Sequence, residues 1–67
     1  MTEEIRVMTA VLKQLESVFG QLESQQVEAI NGLGEQHRVV HEVRLACLQL
    51  DNTMRMVSAQ IDAAKKQ

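Results

Sequence analysis

From Ile5 onward the apolar positions advance by three and four residues in turn: Ile5, Met8, Leu12, Leu15, Phe19, Leu22, Gln26 and Ala29. Only Gln26 is polar. These are the a and d positions of a heptad repeat, the stripe that an amphipathic helix turns toward a neighbour. Val11 and Val18 fall at g, beside that stripe, and Val7 at c. Strict alternation of apolar and polar residues, the mark of a half-buried strand, appears nowhere. Thr2 is placed to cap the helix, and Glu3 and Glu4 suit the positive end of its dipole. Gly20 sits at an outward b position, where it costs ~1 kcal/mol relative to Ala without ending the helix.

The pattern is punctuated once, at Asn31-Gly32-Leu33-Gly34. Gly32 can take the left-handed conformation that ends a helix, with Leu33 folding back onto Val27. A second stripe follows: Val40, Val43, Cys47, Leu50, Met54, Val57, Ile61 and Ala64, its 3-4 spacing unbroken. Lys65 and Lys66 suit the negative end of this helix. The spacing predicts one all-α domain over residues 1–67: helix 1 over 2–31, a turn over 32–34 and helix 2 over 35–66. Each helix would be ~45 Å long, and two equal rods about a short Gly-containing loop make an antiparallel hairpin. The heptad phase also runs on through Gln26, Leu33, Val40 and Cys47. A single continuous coiled-coil helix of ~90 Å would keep that phase and is the alternative. Two glycines within three residues weigh against it.

The stripe is wider than one partner helix can cover. Helix 1 adds g and c positions to a and d; helix 2 does so with Val39, Ala46, Met56 and Ala63. A helix with neighbours on two sides needs such a face, so a four-helix bundle is expected, completed by a second hairpin or by a partner's helices. Residues 1–31 carry a net charge of −3 and residues 35–67 one of +1, which mildly favours side-by-side packing.

Composition narrows the function. The 67 residues are 45% apolar and 24% charged, a balance that suits a folding chain. There is one aromatic residue, Phe19, and no Pro, Trp or Tyr, a poor inventory for β structure. A net charge of −2 is not the basic footprint of a nucleic-acid binder; Arg38, Arg44 and Arg55 are diluted by Glu35, Glu42 and Asp51. A single cysteine forms no internal disulfide, the start of the chain lacks a signal-peptide pattern, and no run approaches the ~20 apolar residues that span a bilayer. A cytoplasmic protein that binds neither nucleic acid nor membrane is expected.

The candidate chemistry is sparse. His37 and His41 lie four apart and share a helix face, two-ligand metal geometry. Glu42 points about 100° away from His41, Cys47 belongs to the seam, and Arg38 and Arg44 would repel a cation. The pair reads as solvated side chains flanking the loop, or as groups that tune an interface by protonating together. Cys47 reads as a small core residue, not a thiol with an adjacent base. The carboxylates are scattered, and Gly32-Leu33-Gly34 lacks the Lys-Ser/Thr of a phosphate loop. No enzyme activity, cofactor, metal or small-molecule substrate is expected. Gln26 and Gln36, at a and d near the loop, mark either a wet bundle end or an amide that fixes register.

The sharpest anomaly is Leu45 and Leu48, at f and b, opposite the seam. With His41 and Arg55 beside them, and Met56 as an adaptable neighbour, they make a candidate partner-docking ridge. The expected function is that of a non-enzymatic interaction module that regulates, inhibits or chaperones another protein, or pairs with itself. A purely structural oligomerisation module and a phage or mobile-element inhibitor of a host protein are the alternatives. The segment Gly34-Glu35-Gln36-His37, read as opening helix 2, resembles the small two-helix needle co-chaperones of type III secretion systems. Those have a Gly-containing turn followed by Gln and an aromatic residue. Here His37 replaces the aromatic, the turn is shorter, and helix 1 lacks the family's N-terminal pattern. The resemblance implies a cytoplasmic complex that keeps an aggregation-prone subunit soluble.

Overall fold

The computed structural model describes residues 2–66, and side chains from Glu3 onward. Two helices pack against each other: α1 over Thr2–Leu33 and α2 over Arg38–Lys65. At 1.5 Å per residue they are about 48 and 42 Å long. The longest dimension of the molecule is 48 Å, the length of one helix, not of two end to end. The chain is therefore a hairpin, and the continuous rod is excluded. The capping role expected of Thr2 rests on a side chain that lies outside the described residues.

The reversal falls later than the spacing predicts. α1 continues through Gly32 to Leu33, the loop occupies residues 34–37, and α2 starts at Arg38. Gly34, not Gly32, takes the positive φ, at 88°. Its N–H donates to the Ile30 carbonyl at 2.9 Å, the bond of a left-handed helix cap. The physical reason is economy. Each further helical residue gains a backbone bond, and one residue at positive φ is enough to end the helix, so termination waits for the second glycine. The delay also removes the fold-back expected of Leu33. It stays on the last turn of α1, and both it and Val27 are exposed.

His37 closes the loop. Its N–H donates to the Gly34 carbonyl at 3.2 Å. Its backbone is extended (φ −71°, ψ 141°), and its ring Nδ1 accepts from the Val39 N–H at 3.1 Å. It is the N-cap of α2, a task usually given to Ser, Thr, Asp or Asn. The segment Gly34–His37 thus forms the connection and does not open α2.

The predicted seam is the observed seam. Ile5, Met8, Leu12, Leu15, Phe19 and Leu22 of α1 are half-buried, as are Val43, Cys47, Leu50, Met54 and Val57 of α2, while Val40 and Ile61 are buried. Gln26 shares the half-buried seam; Gln36 lies exposed in the loop. Only Val40 and Ile61 fall into the buried class among the described residues. Two rods side by side hide the facing stripes and little else.

The two turn-region glycines should respond oppositely to alanine. A Cβ at either would meet open space, so backbone preference alone sets the sign. Gly32→Ala, inside α1, should raise stability by about 0.4–1 kcal/mol, and Gly34→Ala should lower it by about 1 kcal/mol. Urea melts at one fixed chain concentration decide this; the same sign for both would displace the cap from Gly34. The first turn of α2 carries no acidic residue. His37→Asp should therefore raise the stability read from the same melt by about 0.5 kcal/mol, through a charged cap at the helix N-terminus.

Candidate interaction surfaces

Antiparallel pairing sets the e and b positions of both helices on one flank of the hairpin and the g and c positions on the other. The two flanks differ in chemistry. On the first, a depression of about 400 Å³ is lined by Phe19, Gln26, Arg44, Cys47, Leu48 and Asp51. A shallower one of about 240 Å³ follows, lined by Leu12, Glu16, Asp51, Met54, Arg55 and Ser58. Charges dominate here. Arg55 Nε lies 3.1 Å from Asp51 Oδ2, and Arg44 reaches toward Glu35 at 3.9 Å. All four groups are at least partly exposed, so these pairs orient side chains more than they stabilise the fold.

The opposite flank holds a depression of about 470 Å³ lined by Leu22, His37, Arg38, Val39, Glu42, Val43 and Ala46. Beyond it the c and g positions form a continuous edge. α1 contributes Val7, Val11, Gln14, Val18, Gln21 and Gln25; α2 contributes Ala46, Gln49, Thr53, Met56, Gln60 and Ala63. None of these twelve is charged, and all but Ala46 are exposed. Glu4, Glu28 and Glu42 stand at the two ends of the edge, leaving its middle neutral. Thr53 donates its hydroxyl to the Gln49 carbonyl at 3.0 Å, so its donor is satisfied within the helix.

The residues proposed from sequence as a docking ridge spread across the outer side of α2. Leu45 and Leu48 are 42% and 62% exposed on the outer side of α2, with His41 and Arg55 exposed along the same side. Met56, 63% exposed, lies about 80° around the helix from Leu48 but only about 20° from Leu45, so Leu45 borders the uncharged edge to which Met56 belongs. Periodicity alone marked Val7, Val11, Val18 and Met56 as a widened stripe. The further signal was the sign of every residue between them: a charge census of the c and g positions finds the edge.

The imidazole of His37 is engaged in capping α2, so it does not act as a free partner to His41. Cys47 is a free, half-buried thiol in the seam. Among the described residues no three His, Cys, Asp or Glu side chains converge as a metal site would require. Among them, too, no helix is long and apolar enough to cross a membrane. At the start of α1, Arg6 donates from Nε to Glu3 Oε2 at 3.2 Å and also bonds Glu3 Oε1. This holds the Glu3 carboxyl below its ordinary range and the Arg6 guanidinium above its own. The pair is present at neutral pH and is lost as pH falls through the lowered carboxylate value. No protein-family model, curated protein or solved structure matches the chain.

Proposed function

We propose that this chain is a non-enzymatic protein–protein interaction module of the reducing cytoplasm, which binds and regulates, inhibits or chaperones another protein through an apolar helix face. One observation carries the reading: among the described residues nine large hydrophobic side chains are exposed, while only Val40 and Ile61 are buried. A monomer in water has no use for that ratio; a chain that buries the remainder against another helix does. Leu45 and Leu48 fit the part of anchors, being adjacent on the helix surface and rimmed by His41 and Arg55. A second reading, a self-pairing module that completes a four-helix bundle, draws on a different observation, the uncharged edge.

The ridge is tested by Leu45→Glu combined with Leu48→Glu. Both side chains point away from the seam, so the circular dichroism spectrum should be unchanged. Capture of a specific host protein by the immobilised chain should fall by about 30-fold or more, since two apolar anchors are replaced by charge. Mass spectrometry of the retained proteins, wild type against variant, gives the result. Identical retention would remove Leu45 and Leu48 from the interface.

A further inference from the structure

We infer that the uncharged edge is the interface with a second copy of this chain, so that two hairpins close into a four-helix bundle. The inference deepens the reading of the chain as an interaction module, and rests on it, by naming the occupant of one surface. Three observations support it.

The first is area. The chain exposes 5145 Å². A compact folded monomer of its 7.6 kDa mass exposes about 4,300 Å². The excess, about 850 Å², matches the ~800 Å² that each partner contributes to an interface of standard size. The second is charge. An acidic or basic partner would have to strip its ions against a neutral surface, which disfavours it. The same surface on a second copy brings no charge to its middle. The third is the chemistry of the polar residues there. Apart from Thr53, whose donor is already satisfied, they are all glutamines. Amides both donate and accept, so they pair with their own kind across a two-fold axis. Val18, 38% exposed, sits halfway along α1, and Met56, 63% exposed, about one turn beyond the middle of α2, so both lie in the central part of the edge. They are the expected anchors, and the depression beside Val39 and Ala46 offers room for apolar side chains of the second hairpin.

Sedimentation equilibrium tests this from about 1 to 500 μM, the range that brackets a micromolar association. The wild-type chain should weigh twice 7.6 kDa at the upper end. Its melting temperature should rise with chain concentration, as mass action requires of a dimer. Val18→Glu with Met56→Glu should weaken the dimer by about a hundredfold or more. Should that variant lose its helices, Val18→Ala with Met56→Ala decides, because it removes the apolar anchors, favours the helix and adds no charge; the dimer should again be weakened. Leu48→Glu alone, on the side of α2 turned away from the edge, should remain dimeric, and this separates the present inference from the capture of another protein. A wild-type chain of 7.6 kDa throughout, folded or unfolded, overturns the proposal. So does a dimer that survives both edge variants, or one dissolved by Leu48→Glu alone.

Discussion

Apolar contact between the two heptad stripes is the interaction on which everything else in this molecule hangs. Each helix is long enough for eight seam positions, yet a pair of rods meets along a line. Residues at a and d gain cover; residues at g and c gain almost none. The consequence is a fold whose direction is well defined and whose burial is shallow: among the described residues only Val40 and Ile61 are buried. Backbone entropy costs ~1–2 kcal/mol for each ordered residue. Such a seam offsets it only narrowly, and the exposed valines are the surface from which further stabilisation can come.

The seam was legible in the sequence because its signal is redundant. Sixteen positions at 3-4 spacing overrule any one exception, so Gln26 and Cys47 fit without disturbing the pattern. The turn was less legible because its signal is not redundant. Two glycines stood two residues apart, and both could supply a positive φ. Which one did so depended on where the helix ran out of favourable backbone bonds, and propensity does not resolve that to two residues. The cap of α2 was hidden for a related reason. His37 looked like half of an i, i+4 histidine pair, but a ring nitrogen beside a free helix N–H serves as well as a hydroxyl. The chain had no Ser, Thr, Asp or Asn at that place to advertise the cap.

Surface features divided in the same way. Leu45 and Leu48 stand out from sequence because each is a large apolar residue at a position the heptad assigns to water. The uncharged edge is quieter. No residue on it is anomalous: valine at g is ordinary, and so is glutamine at c. The information lies in the joint absence of charge over twelve positions contributed by two helices. Reading it requires knowing that the chain reverses. In a continuous rod those positions would form a stripe spread over ~90 Å. In the hairpin they lie side by side and become a surface.

The two apolar surfaces are also compatible with one another, and that follows from helix geometry. On α2 the edge occupies c and g, while Leu48 lies at b and Leu45 at f. Successive wheel positions are about 50° apart, so Leu48 faces roughly 100° away from the c stripe. Covering the edge with a second hairpin would leave Leu48 in water, doubled in number and displayed on the two outer sides of the bundle, with Leu45, one wheel position from the c stripe, at the rim of the interface. A module built in this way would gain stability from one flank and keep the other side of α2 free for recognition. The charges fit that division: Asp51–Arg55 and Arg44–Glu35 all belong to the flank that keeps its contact with solvent. A charged rim around apolar anchors disfavours non-specific sticking while leaving the anchors accessible. The uncharged middle of the opposite flank has no such protection, and burial against a surface of like composition would remove the liability.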